Sequence, residues 1–148
     1  MTGRYLVDTN ILVYAYDRSE FGKMTASASL LDRLALSGHG VLSLQILAEF
    51  FAVVTRKIPE PLTPALAEER VLNYLQSWRA VEVTNMVLRE AIRGVREHRM
   101  AFWDAQIWAT ARLNQIPMIL SEDFSHGSTV EGVHFLNPFH PSFHFLSA

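Results

Sequence analysis

Tyr5-Leu6-Val7-Asp8-Thr9-Asn10-Ile11-Leu12 sets three apolar residues against a carboxylate and then resumes an apolar pattern with helical spacing. Tyr5-Leu6-Val7 reads as a short buried strand, and the residues from about Ile11 to Tyr16 as the helix that follows it. Asp8 therefore falls where a strand hands over to a helix. The same alternation continues down the chain. Val41-Leu42-Ser43, Val81-Glu82-Val83, Met118-Ile119-Leu120 and Val133-His134-Phe135-Leu136 are further strand candidates. Between them lie helical patterns at Ala26 to Leu36, Leu44 to Lys57, Pro64 to Trp78, Met86 to His98 and Ala105 to Asn114. Short apolar runs separated by longer amphipathic ones predict an α/β class with a mostly parallel central sheet flanked by helices.

With 148 residues the chain has the length of one domain, and residues 1–148 are expected to form it. Pro59-Glu60-Pro61 is too brief to be a domain linker, and the tail from Asn137 to Ala148, rich in Phe, His and Pro, is expected to pack on the body or on a partner. Hydrophobic residues make up 49% and charged ones 19%, a composition that supplies a core and argues against disorder. The formal charge of −2 argues against binding nucleic acid through bulk positive charge and leaves room for a local basic patch. Cysteine is absent, which removes disulfides, zinc–thiolate centres and cysteine nucleophiles together. Asp8 interrupts any signal-peptide apolar region, and no run of about 18 uncharged apolar residues occurs, so a soluble cytoplasmic protein is expected.

In an open parallel sheet, ligands collect at the carboxyl ends of the strands. Asp8 follows the first strand, Glu49 lies in the helix after the second, and Asp123 follows a later strand in Leu120-Ser121-Glu122-Asp123. Asp104 opens the last long helix in Phe102-Trp103-Asp104-Ala105. Each has an ordinary explanation. Asp8 and Asp104 sit where helix caps occur, Asp104 with Trp103 and Trp108 at hydrophobic-staple spacing. Asp123 belongs to a turn-like segment in which Glu122 is a second candidate that spacing does not exclude. Glu49 is the most informative, because Ile46-Leu47-Ala48-Glu49-Phe50-Phe51-Ala52-Val53-Val54 holds no other polar side chain, and a carboxylate buried there needs a cation or hydrogen-bond donors. Two carboxylates about 5 Å apart repel by roughly 3 kcal/mol at an effective dielectric of 20, so a pocket that gathers all four acids calls for a cation. Oxygen donors alone suit Mg2+ or Mn2+ better than zinc.

These segments, together with Leu42-Ser43-Leu44-Gln45-Ile46-Leu47-Ala48-Glu49-Phe50, resemble the PIN domain family, and within it the VapC-type ribonuclease toxins of toxin–antitoxin pairs. The motifs are short, span the chain from its first strand to its last, and draw their specificity from their order and spacing. The resemblance implies a metal-dependent endoribonuclease in which Asp8, Glu49, Asp104 and Asp123 hold one or two Mg2+ or Mn2+ ions, with Asn10, Ser43 and Ser121 orienting ligands or waters. It also implies an RNA substrate, a small cognate antitoxin and a homodimer.

Arg89, Arg93 and Arg96 share a face of their predicted helix, with Arg99 following, and are expected either to grip RNA phosphates or to form a solvated face paired with Glu90 and Glu97. Arg56 and Lys57 carry a similar double reading. His98, His126, His134, His140 and His144 show no metal-ligand spacing, and Trp78, Trp103 and Trp108 sit in apolar patterns that suggest core or interface. A phosphatase that uses Asp8 as nucleophile is disfavoured, since position 10 is Asn10 and no lysine follows Lys57 to neutralise phosphate. A PIN domain that binds RNA or protein without cutting is the remaining alternative.

Overall fold

The computed structural model describes residues 3–145. Six strands form one sheet: β1 (Tyr5–Val7), β2 (Gly40–Ser43), β3 (Arg79–Val81), β4 (Met118–Leu120), β5 (Thr129–Val130) and β6 (Val133–Leu136), in the order β3-β2-β1-β4-β6-β5. All pairings are parallel except the β5–β6 hairpin. Every residue of β1, β2 and β4 is buried, as expected of central parallel strands covered on both faces. β1 lies in the middle of the sheet, with Tyr5 paired to Gly40 on one side and Met118 on the other. The chain first builds outward from β1 through β2 and β3, then returns to its other side with β4. The strand order thus reverses beside β1, and the carboxyl ends of β1 and β4 flank the resulting crevice.

The helices are α1 (Thr9–Tyr14), α2 (Phe21–Ser37), α3 (Leu44–Val54), α4 (Pro64–Ser77), α5 (Asn85–His98) and α6 (Phe102–Leu113), with a 3-10 turn at Arg18–Glu20 before α2. Side chains cap several of them: Asp8 accepts from the Thr9 amide, Ser43 from Ile46, Thr63 from Leu66 and Thr84 from Val87. The core runs through Leu6, Ile11, Leu34, Leu42, Ile46, Phe50, Trp108, Ile119 and Phe135. Phe139, Phe143 and Phe145 of the tail pack against it, Phe145 meeting Tyr5 edge to face at 5.6 Å. Among the described residues no helix is long and apolar enough to cross a membrane.

Three sequence expectations shift. The third strand is Arg79–Val81 and not Val81–Val83, because its ladder with β2 runs from Val41 opposite Arg79 to Ser43 opposite Val81, where β2 ends. α2 begins earlier than Ala26, as the 3-10 turn feeds directly into Phe21. α6 begins at Phe102 with Ala101 as its N-cap, which puts Asp104 inside the first turn and excludes it as the cap.

Candidate active site

The end of β1 delivers Asp8 into the crevice, 6% exposed, where it is both a helix cap and a member of a polar cluster. Its Oδ1 accepts from the Thr9 amide at 2.7 Å, and its Oδ2 accepts from the Ser121 hydroxyl at 2.8 Å. In the first turn of α1, the Asn10 side-chain amide donates to Asp123 Oδ2 at 3.1 Å, to Ser121 Oγ at 3.2 Å and, more weakly, to Asp8 Oδ2 at 3.5 Å. Asn10 Oδ1 accepts from the Glu122 backbone amide, and Ser121 Oγ from that of Asp123, so the turn after β4 is moored to α1. The turn splits the two acids. Asp123 faces the cleft, while Glu122 turns away to accept from the Tyr14 hydroxyl and to pair with Lys23 at 3.0 Å.

Asp8, Asn10, Gln45, Glu49, Asp104 and Asp123 line one cleft of ≈ 390 Å³, together with Lys57 and Trp103. Glu49 is half-buried and not enclosed, since α3 turns that edge toward the cleft; its Oε1 accepts from the Gln45 amide at 2.8 Å. The carboxylates act on one another. Burial pushes Asp8 up to about 6, hydrogen bonds from Ser121 and Thr9 oppose the rise, and the charges of Asp123 and Glu49 add to it. Asp104 is also raised, by partial burial and then by Asp123 and Glu49. Among the described residues no three His, Cys, Asp or Glu side chains are drawn tightly enough together to hold a metal ion unaided. The donor set nevertheless suits a hard cation in kind: carboxylate oxygens at a water-accessible cleft fit Mg2+ or Mn2+, of which Mg2+ retains several waters and needs only one or two carboxylates.

A family model described as the PIN domain matches residues 5–128, from β1 to the turn before β5. The chain belongs to the PIN domain family. No curated protein matches its sequence. Solved structures share the fold at low identity. FitAB bound to a DNA fragment is 20% identical with a TM-score of 0.68, over 95% of this chain and 99% of that one. A toxin–antitoxin complex from Klebsiella pneumoniae is 18% identical with a TM-score of 0.65, over 91% and 98%. VapC20 from Mycobacterium tuberculosis, described as a toxin that cleaves the sarcin-ricin loop, is 18% identical with a TM-score of 0.58, over 78% and 86%.

Several side chains of this PIN domain lie elsewhere than the sequence suggested. Ser43 is fully buried and its hydroxyl is spent capping α3, so it does not reach the cleft. Arg89, Arg93, Arg96 and Arg99 do not line the cleft either. Arg93 is held by Glu90 at 2.8 Å, Glu97 at 3.2 Å and Glu131 at 2.9 Å, and Arg96 pairs with Glu97. The face-sharing that suggested phosphate binding brings acids onto the same surface, and they satisfy the guanidinium first. Glu131, bonded to Arg93 and His98, is correspondingly lowered to about 2. Among the described residues, the cation lining the cleft is Lys57. Trp108 is buried as expected, but Trp103 is 61% exposed at the cleft wall. Gln45 and Gln106, both buried, were not singled out by the sequence; an isolated amide in the apolar run after Asp104 was the available signal.

Proposed function

We propose that this PIN domain is a divalent-metal-dependent endoribonuclease and the toxin of a toxin–antitoxin pair, acting in the cytoplasm as a homodimer and restrained by a small antitoxin. The supporting observation is that Asp8, Glu49, Asp104 and Asp123, contributed by four separate elements, line one cleft at the point where the strand order reverses. Asp8, Glu49, Asp104 and Asp123 are the residues that would hold Mg2+ or Mn2+. When bound, such an ion supplies hydroxide near neutral pH and offsets the charge of the phosphodiester under attack.

The chain's own contribution is orientation. Ser121 and Asn10 fix the Asp8 and Asp123 oxygens by donating to them. Lys57 offers the positive charge that draws an RNA phosphate toward an otherwise acidic wall. Trp103 offers an exposed ring on which an unpaired base stacks, so looped or single-stranded RNA fits better than a duplex. Phe145 packs on Tyr5 and stacks beneath Arg33 of α2, which supports reading the chain as one unit.

The reading is tested by incubating partner-free protein with structured RNAs in Mg2+, Mn2+ or EDTA, beside Asp8→Asn and Asp104→Asn. Metal-dependent cutting that both substitutions abolish is expected. Cutting that persists in EDTA or in both variants contradicts the reading, and folded, metal-binding protein that never cuts supports the silent RNA- or protein-binding alternative.

A further inference from the structure

α6 buries Ala105, Gln106, Ile107, Trp108, Ala109, Thr110 and Ala111. Gln106, 6% exposed, is the one side-chain amide in that set, and Thr110 satisfies its hydroxyl locally by donating to the Gln106 backbone carbonyl. A buried amide is kept at a cost unless it is bonded. Gln106 is bonded to another helix: its Nε2 donates to Gln45 Oε1 on α3 at 2.8 Å. Gln45, itself 9% exposed, is thereby fixed in its amide orientation. With its oxygen taken by Gln106, its Nε2 faces the other way and donates to Glu49 Oε1 at 2.8 Å. The same nitrogen reaches the Trp103 carbonyl at 3.5 Å, the backbone group immediately before Asp104.

This chain of donors runs in one direction, from Gln106 through Gln45 to a carboxylate, and it joins the two helices that carry Glu49 and Asp104. We propose that Gln106 and Gln45 are positioning residues that set the Glu49 carboxylate and its placement relative to Asp104, and so set the affinity of the cleft for its divalent cation. Gln45 touches the wall of the cleft; Gln106 acts only through Gln45. The inference rests on the metal-dependent reading above. Outer-shell partners of this kind typically change metal affinity or activity 10- to 100-fold when altered.

A double-mutant cycle on the full-length protein, read by electron paramagnetic resonance titration of free Mn2+, tests it without recourse to activity. Melting in EDTA confirms that each variant is folded. Gln106→Met preserves length and removes the donor; about a tenfold weaker Mn2+ affinity is expected. Gln106→Glu replaces the donor with an acceptor, which turns the Gln45 amide around and points its oxygen at Glu49, so a larger loss is expected. In a Gln45→Met background the Gln106→Met change should cost nothing further, because the link is already cut. Equal effects of Gln106→Met in both backgrounds, or unchanged Mn2+ affinity in the single variant, would overturn the relay alone. A wild type that binds no Mn2+ overturns both the relay and the metal-dependent reading beneath it.

Discussion

Asp8 is placed in an environment that disfavours its charge, and that has a consequence for stability. Its folded value near 6 lies above the unfolded 3.8, so between about pH 4 and 6 the native state binds more protons than the unfolded chain. Stability from this group is therefore present below about pH 4 and lost as pH rises through about 6, by about 3 kcal/mol in all at 1.36 kcal/mol per unit. In EDTA the protein should melt at a higher temperature at pH 5 than at pH 7 relative to Asp8→Asn, whose profile lacks this component. An identical pH profile for the two proteins would contradict the raised carboxyl. A bound cation favours the ionised form, so Mn2+ affinity should climb over the same interval, which a titration at pH 5 and pH 7 reads directly. Trp103 carries a second expectation at this scale. Being 61% exposed, it contributes little to the core, and Trp103→Ala should leave melting nearly unchanged while raising KM for a looped RNA about 5- to 100-fold, as one lost stacking contact does. A duplex substrate should be insensitive to it.

At the scale of elements, α5 and α6 form the densest pairing, and Gly94 is where they meet. A Cβ there would sit 2.9 Å and 3.0 Å from two carbons of the Trp108 ring. Gly94→Ala gains about 1 kcal/mol of helix propensity but overpacks a rigid indole at a cost of about 1–3 kcal/mol, so a net fall of a few degrees in Tm is expected. The arginine face of α5 makes a different prediction. Arg93→Met should lower Tm slightly, since it removes the cation that Glu90, Glu97 and Glu131 share and leaves them to Arg112, Arg96 and His98, yet leave RNA cutting at the wild-type level; loss of cutting in a folded variant would restore these arginines as substrate contacts. This difference marks what the sequence could and could not convey. Helical spacing placed Arg89, Arg93 and Arg96 on one surface, but Glu131, which comes from the β5–β6 turn 38 residues beyond Arg93, enters only through the tertiary fold. The two-residue β5 has too little pattern to be read at all. Strands β1, β4 and β6, by contrast, match their sequence bounds: β1 and β4 are unbroken buried apolar runs, and β6 alternates buried Val133 and Phe135 with an exposed His134. Asp8, Glu49, Asp104 and Asp123 were legible as motifs, whereas Gln45, which bonds Glu49, was not: only Gln106 offered a signal, as an isolated amide in an apolar run, and its partner is set by the tertiary fold.

Across the whole molecule, the reversal of strand order beside β1 is what turns separate motifs into one cleft. β1 brings Asp8, β4 brings Ser121 and Asp123, and α3 and α6 lean Glu49 and Asp104 over the same opening. On the reading proposed above, these four acids, from four elements, serve divalent-cation binding in that one cleft. The most direct test is the Mn2+-induced shift in Tm of the wild type beside Asp8→Asn, Glu49→Gln, Asp104→Asn and Asp123→Asn. Binding to the native state alone stabilises it by about 2.7 kcal/mol at a hundredfold excess over Kd. For a chain of this size that is a rise of about 5–10 °C. That rise is expected in the wild type and a diminished one in every variant. An equal shift in all five proteins would place the ion elsewhere and contradict that reading.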